Sequence, residues 1–508
     1  MATITLTENE DTYTSASDAD VVLGLGGGDI INANGADTIY GGADSDSISG
    51  GTNTAGTLLF GNAGRDTITG GSGNDTIYGG SSNDTLDGGV GRDLIFGDAG
   101  DDSVVSALGA DTIYGGAGND TITAATNSTG VLVFGNAGED SLIGGSANDT
   151  IYGGAGNDLI EGGVGNDLVF GDLGNDLISA SFGADTIYGG DGNDSIQANA
   201  NTTGVLLFGN AGNDIISGGS ASDTIYGGAG NDTIYGSAGS DLLSGDLGAD
   251  SIVANLGADT VYGGEGNDTI DAAGNTAGVL LFGNAGADTI FGGDNSDTIY
   301  GGAGNDTLNG SAGADLLFGD LGNDLITANI GADTVYGGDG NDTITAAGNT
   351  AGVLLFGNAG ADSILGGVAN DTIYGGAGND TLVGGLGSDT LYGDAGADVF
   401  VFNTSATSGA DRVFGFQSGT DKIGLSTGVF GSSASDFTGT LSTIISNGYY
   451  NAVGSAAAGN AQQYLIFDTS SSVLYFDAAP LEGSAGRVAI TTLDGVSQIS
   501  ASDFIIIS

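Results

Sequence analysis

The sequence predicts an all-β chain, a parallel β-roll solenoid with a C-terminal β-rich capping domain. Three observations predict it. A nine-residue unit, clearest at Gly153-Gly-Ala-Gly-Asn-Asp158 followed by Leu159, Ile160 and Glu161, recurs from about Asp37 to Asp398. After each Asp come a polar residue, a large aliphatic one and an outward one, so strand alternation sends only the middle residue inward. The rest of the unit is turn, in a chain with 103 Gly and one Pro among 508 residues. Such a nonapeptide is a repeat signature, because each unit buries its apolar residue only by stacking on its neighbours.

Taken in order, residues 1–34 precede the first full unit and predict an N-terminal edge strand and cap. Residues 35–398 predict the roll itself. Two units close one coil with a short strand on each face, and glycines supply the positive φ of the turns. A longer period overlies this one: Thr57-Leu-Leu-Phe-Gly-Asn-Ala-Gly64 returns at Val131, Val205, Val279 and Val353, always by the same step. Seven nonapeptides and one 11-residue unit, such as Asn127 to Ala137, account for that step. Five modules of four coils give about 20 coils, and at roughly 4.8 Å per coil a rod about 100 Å long is expected. From 399 to 508 the period collapses, and this segment holds the only Lys and the only Pro. It predicts the β cap, with Tyr464-Leu-Ile-Phe-Asp and Val473-Leu-Tyr-Phe-Asp as a hairpin around Thr469 to Ser472.

Charge decides what fills the roll. Asp and Glu number 64 against five Lys and Arg, with no His and no Cys, for a net charge of −59. Apolar residues at strict intervals argue against disorder, so the carboxylates need a cation partner. Hard cations take oxygen ligands, and no imidazole or thiol is offered to zinc, copper or iron. Multiple Ca²⁺ ions are therefore the expected cofactor, making a calcium-filled roll. Nucleic acid and anionic membranes are repelled, because no basic patch neutralises phosphate. No run of 18 apolar residues predicts a spanning helix. Weak calcium sites of the extracellular kind, about 0.1 to 1 mM, place the folded form outside a cell. Met1 to Glu10 lack a basic stretch and an apolar core, so no cleavable secretory signal is predicted there.

The Asp residues fall into two files on opposite edges. One runs Asp46, Asp66, Asp84, Asp102, Asp120, Asp140, Asp158, Asp176, Asp194, Asp214 and Asp232, then Asp250, Asp268, Asp288, Asp306, Asp324, Asp342, Asp362, Asp380 and Asp398. It skips no coil, so a nearly continuous calcium column is expected. The other runs Asp37, Asp75, Asp93, Asp111, Asp149, Asp167 and Asp185, and jumps the 11-residue unit in every module. Its loops at Ser181 to Asp185, Ala254 to Asp259 and Gly219 to Asp223 have lost glycines, so partial occupancy is expected on that edge. Asp residues one coil apart lie about 5 Å from each other, which costs about 3 kcal/mol per pair at an effective dielectric of 20. A bridging cation reverses that sign and makes metal binding and folding one equilibrium. The competing reading makes Asp and Gly mere turn formers.

One face carries rings. Tyr40, Phe60, Tyr78, Phe96, Tyr114, Phe134, Tyr152, Phe170, Tyr188, Phe208 and Tyr226 follow the second Asp file, and after Ser244 the series resumes at Tyr262 and runs to Tyr392. The opposite face is mostly polar, with Thr123, Glu161, Ser179 and Gln197. Stacked rings support the roll, each pair adding about 0.5–1.5 kcal/mol. A long half-apolar stripe also suits packing against another copy or a surface.

Through both its glycine-aspartate repeats and its tail, the chain resembles the RTX family of calcium-binding proteins exported by type I secretion. Asp411 to Ser426, Tyr464 to Asp477 and Val488 to Ser508 are similar to the region after RTX repeats that contains the uncleaved export signal. The resemblance implies ligands from the motif's Asp carboxylates and Gly carbonyls. These are Gly70, Gly71, Gly73 and Asp75; Gly115, Gly116, Gly118 and Asp120; Gly153, Gly154, Gly156 and Asp158; Gly189, Gly190, Gly192 and Asp194; and Gly227, Gly228, Gly230 and Asp232. Further along they are Gly263, Gly264, Gly266 and Asp268; Gly301, Gly302, Gly304 and Asp306; Gly337, Gly338, Gly340 and Asp342; and Gly375, Gly376, Gly378 and Asp380. Asp84, Asp93, Asp102, Asp140, Asp167, Asp176, Asp214, Asp250, Asp288, Asp324, Asp362, Asp389 and Asp398 complete the set.

Without His there is neither a Ser-His-Asp triad nor a His-Glu-x-x-His zinc site, and the regular spacing of carboxylates suits ligand duty better than glycoside hydrolysis, so no enzyme is expected. The leading expectation is an extracellular, calcium-dependent structural protein that self-assembles into a surface layer, filament or matrix, resembling RTX surface-layer proteins. Its expected partners are other copies of itself, the type I secretion apparatus and a cell-surface polysaccharide. The alternatives are an adhesin docking its regular face on glycan, mineral or ice, and a secreted calcium buffer.

Overall fold

Every aliphatic residue at the middle of a three-residue window finds the same place, the interior of a flattened coil. The computed structural model describes residues 2–15, 19–52, 54–403, 409–426, 450–458, 461–468, 471–477 and 487–507. It divides into two compact units, Met1–Asp259 and Thr260–Ser508.

In the first unit, Thr150–Ala155 pairs in parallel with Leu132–Ala137 before it and Leu168–Leu173 after it. After the next turn, Leu159–Glu161 pairs in parallel with Ser141–Ile143 and Leu177–Ser179. Ile151 lies opposite Val169 and Ile160 opposite Ile178, so two nonapeptides make one coil. Ile151, Val169 and Ile187 on one sheet and Ile160, Ile178 and Ile196 on the other are 0% exposed. Burying each such side chain contributes about 1.5–3 kcal/mol. Strands on the two faces differ in length, which the alternation alone does not reveal. On the ring-bearing face they run six residues, because Gly153 and Gly154 stay in ladder register, Gly154 opposite Asp172.

The 11-residue unit makes a longer coil, with the Asp120 N–H donating to Asp140 Oδ1 across 20 positions where Asp140 reaches Asp158 across 18. Its additional residues leave at one edge. There Asn127, 0% exposed, donates to the Gly109 carbonyl at 2.7 Å and the Ser106 hydroxyl at 2.9 Å, and accepts from the Thr129 N–H. The same ladder reaches the N-terminal segment, where Thr3–Thr5 pairs in parallel with Val21–Leu23 and Thr12–Thr14 with Ile30–Asn32.

The second unit repeats the coil from Thr260–Glu265 to Thr390–Ala395 on one sheet and from Thr269–Asp271 to Thr381–Val383 on the other. Both sheets run on past Asp398. Val399–Phe402 adds in parallel to Thr381–Val383, Asp411–Phe414 to Thr390–Ala395, and Lys422–Ser426 to Val399–Phe402. An antiparallel meander of Tyr450–Ala458, Ala461–Asp468, Val473–Asp477 and Arg487–Asp494 follows. It contains the expected hairpin, with Tyr464 opposite Asp477 and Asp468 opposite Val473, although residues 469 and 470 of its turn lie outside the described residues. Asp503 ties the end of the chain down by accepting from the Ser418 hydroxyl at 2.7 Å and the Gly419 N–H at 2.9 Å. No α-helix occurs among the described residues, and no helix is long and apolar enough to cross a membrane.

Candidate metal centre

Each Asp at the end of a turn folds its side chain back under the turn, out of solvent. In the first file Asp84, Asp102, Asp120, Asp140, Asp158 and Asp176 are each no more than 2% exposed. Their two oxygens have different fates. One accepts the backbone N–H of the Asp one coil earlier: Asp158 Oδ1 from Asp140 at 2.8 Å, Asp176 Oδ1 from Asp158 at 2.8 Å, Asp194 Oδ1 from Asp176 at 2.8 Å. The other, Oδ2, is buried without a hydrogen-bond partner in Asp84, Asp102, Asp120, Asp140, Asp158, Asp176, Asp194, Asp214 and Asp232, and in Asp288, Asp306, Asp324, Asp342, Asp362 and Asp380 of the second unit.

An orphaned, buried, anionic oxygen is costly unless something positive meets it. Among the described residues no protein cation does. The ion pair among the described residues, Arg412 with Asp494, lies at the surface. Burial, reinforced by the carboxylates one coil away, pushes Asp84, Asp120 and Asp158 up to about 7, and burial pushes Asp102 and Asp176 up to about 6.

The space around Oδ2 is glycine-shaped. A Cβ placed on Gly153 would collide with both Asp158 Oδ2 and the Gly171 carbonyl oxygen, so those two oxygens from adjacent coils share one small hollow. Gly115, Gly189, Gly227, Gly301, Gly337 and Gly375 mark the same hollow beside Asp120, Asp194, Asp232, Asp306, Asp342 and Asp380. The second and third turn glycines have positive φ, 110° at Gly154 and 144° at Gly156, and a Cβ on Gly156 would overlap the Gly138 carbonyl.

A family model described as the RTX calcium-binding nonapeptide repeat matches residues 14–48, 33–53, 60–95, 96–126, 134–169, 170–201, 208–243, 244–275, 280–308, 309–344, 354–382 and 374–403, well over half of the chain. The chain belongs to the RTX calcium-binding nonapeptide repeat family. Comparison with curated proteins gives no match. Among solved structures, the RTX chain is similar to the solution structure of the AlgE6R3 subunit from the Azotobacter vinelandii mannuronan C5-epimerase. That match has 19% identity over 44% of this chain and 78% of that one, with a TM-score of 0.13.

The RTX turns fit calcium by their donor set. Among the described residues no group of three or more His, Cys, Asp or Glu side chains converges into a metal-sized cluster. A calcium ion would therefore be held by the orphaned Asp oxygen with backbone carbonyls, an all-oxygen set that suits a hard cation. When bound, it supplies the positive charge that the carboxylate files lack.

Not every expected ligand is alike. Asp75, Asp93, Asp167 and Asp389 of the second file have an unpartnered Oδ2, as the first file does. The glycine-poor loops differ: Asp223 Oδ2 accepts from the Gly219 N–H at 2.7 Å and Asp185 Oδ2 from the Asn201 amide at 3.2 Å. Asp46 and Asp66, at the start of the first file, also have a buried, unpartnered Oδ2, as do Asp29, Asp241 and Asp315, which the expected set leaves out. Gly236 and Gly239 ahead of Asp241 are the signal that finds such a site, since they keep the first and fourth turn glycines.

A second ladder has no counterpart among the features expected from the sequence. The Asn before each Asp accepts the N–H of the same position one coil later, Asn157 from Asn175 at 2.7 Å, Asn175 from Asn193 at 2.6 Å and Asn213 from Asn231 at 2.6 Å. Those amide oxygens knit exposed turns together.

The rings stack face to face at coil spacing. From Tyr40 to Tyr226 in the first unit the centroids lie 4.6–5.2 Å apart with planes within 7°. In the second unit the stack ends on Phe414, 4.9 Å from Tyr392. Tyr152 sits between Phe134 at 4.9 Å and Phe170 at 4.7 Å. Tyr152→Ser removes two stacked pairs and is expected to cost about 1–3 kcal/mol. Urea melts at saturating calcium check this, with Glu161→Ser on the opposite face as the comparison; equal midpoints for the two variants would show that stacking contributes nothing.

Proposed function

We propose that this RTX protein is an extracellular, calcium-dependent structural protein that folds after export through a type I apparatus and packs against further copies of itself. The observation that carries the self-packing is an apolar edge recurring at the module step. In the first unit Val90 and Leu108 bridge each other, as do Val164 and Phe182 one module later, and Leu256 follows at the same step. These side chains are 47–54% exposed, and Ile330, the equivalent in the second unit, is 64% exposed. Single exposed apolar residues need no explanation, but a periodic file of them supports a partner with the same period, which a second copy has. Light scattering and negative-stain microscopy at millimolar calcium test this. Ordered assemblies are expected from the natural chain, and dispersed particles from a variant with Val90, Leu108, Val164 and Phe182 all changed to Ser that keeps its circular dichroism. Dispersed particles from the natural chain would reject the proposal.

A binding role has its own support. Beside the ring ladder runs a cleft of about 590 Å³ lined by Phe170, Asp172, Tyr188 and Asp191, and one of about 540 Å³ recurs at Phe318, Asp320, Tyr336 and Asp339. A repeating polymer such as a cell-surface glycan suits a repeating cleft. Retention on polysaccharide, lost when Tyr188 and Tyr336 become Ser, distinguishes this reading from self-assembly.

A further inference from the structure

The second Asp file has an internal order that follows the module. Its first member in each later module is closed by its own turn: Asp149 Oδ2 accepts the Gly145 N–H at 2.6 Å, Asp223 that of Gly219 at 2.7 Å, Asp297 that of Gly293 at 2.7 Å and Asp371 that of Gly367 at 2.6 Å. Its third member is closed by a neutral side chain. Asp111 Oδ2 accepts from the Ser106 hydroxyl at 2.5 Å, Asp185 from the Asn201 amide at 3.2 Å and Asp333 from the Asn349 amide at 3.1 Å. In the modules that begin at Asp149, Asp223 and Asp297 the middle member, Asp167, Asp241 or Asp315, keeps a buried Oδ2 that no donor reaches. All three are no more than 2% exposed.

One turn position explains the closure of the first member. Turns reading Gly-x-x-Gly-x-Asp, as at Gly162 to Asp167 and Gly236 to Asp241, hold the second residue at positive φ, 101° for Gly163 and 72° for Ser237. Where the fourth residue is Ala147, Ala221, Asn295 or Ala369, the second glycine is absent from the positive-φ region and its N–H turns onto the carboxylate. Asp75, the first member in the first module, keeps Gly73 at the fourth position, and its Oδ2 is open.

We infer that the second edge takes one cation per later module, at the middle Asp of each trio, while the carboxylates on either side are closed by the protein's own donors. This edge is thus a series of separated single sites, where the first edge offers an open oxygen on successive coils. The inference rests on the calcium reading above and concerns which carboxylates of this chain serve it. At the 11-residue coil the file is interrupted further, because Val131, Val205, Val279 and Val353, each 4% exposed, occupy the place of the Asp.

Calcium bound per folded full-length chain, measured by equilibrium dialysis and elemental analysis, tests the assignment. Asp167→Asn, Asp241→Asn and Asp315→Asn together are expected to lose one ion per substituted coil. Asp149→Asn, Asp223→Asn and Asp297→Asn together are expected to lose none. Equal losses from the two triples would overturn the inference. Ala147→Gly, a substitution toward the open turn, is expected to add one ion and keeps the question answerable if either triple fails to fold; an unchanged count would equally overturn it. A natural chain that binds no calcium would sink the calcium reading itself, which is a different result.

Discussion

In excess EDTA at neutral pH the purified chain is expected to lose its β-sheet circular dichroism and to expand several-fold in hydrodynamic volume, and to regain both when millimolar calcium is restored. The magnitude follows from the Asp files. Two carboxylates about 5 Å apart repel by about 3 kcal/mol at an effective dielectric of 20, and an unbridged file repeats that term at every coil. Each coil buries two aliphatic side chains, such as Ile151 and Ile160, for about 3–6 kcal/mol in total. Repulsion in the two files therefore cancels much of what the core provides, before any conformational entropy is counted. No disulfide is available to hold the unfolded ensemble together, since the chain has no Cys. A sheet spectrum and compact elution that survive EDTA would mean that the carboxylates are neutralised from within, and the calcium dependence would fall.

The roll was legible because its physics is one-dimensional. Ile151 between Thr150 and Tyr152 states inside and outside without ambiguity, and repetition after every second unit states which strand lies beside which. Asp158 was legible as a ligand candidate for the same reason, being an acid that returns where no basic partner ever does. Other features depend on register and backbone conformation. That Asp158 Oδ1 would accept from Asp140, and Asn157 from Asn175, requires knowing how far each turn slides over the next. The closing of Asp149 by Gly145 follows from Ala147 standing where Gly73 stands one module earlier, a change visible in the letters but meaningful only through φ. The roll's continuation to Phe414 was hidden because the stretch from Tyr392 to Phe414 is longer than the coils before it, although Arg412, Val413 and Phe414 keep the outward, inward, outward order of every other coil.

Acid should substitute for calcium. Burial and neighbouring carboxylates raise Asp84, Asp93, Asp120, Asp158, Asp167, Asp241 and Asp315 from the ordinary 3.8 to about 7 in the metal-free fold, and burial raises Asp102, Asp176 and Asp185 to about 6. A carboxyl that holds its proton more tightly folded than unfolded favours the fold where it is protonated, below its folded value. That contribution is complete below about 3.8 and is lost as pH rises through about 6 to 7. Held in EDTA, the chain is thus expected to be expanded at pH 8 and to regain sheet structure and compactness near pH 5, before neutralisation of its surface favours precipitation. Calcium and protons compete for the same Oδ2 atoms and both favour the fold, so the calcium midpoint for folding should move to lower concentration as pH falls from 8 to 6, while each site of the already folded chain needs more calcium to fill. Circular dichroism and size-exclusion chromatography across pH, with and without chelator, measure both effects. If the chelated chain is no more compact at pH 5 than at pH 8, the buried carboxylates are not what unfolds it, and the source of its metal dependence would lie outside the two Asp files.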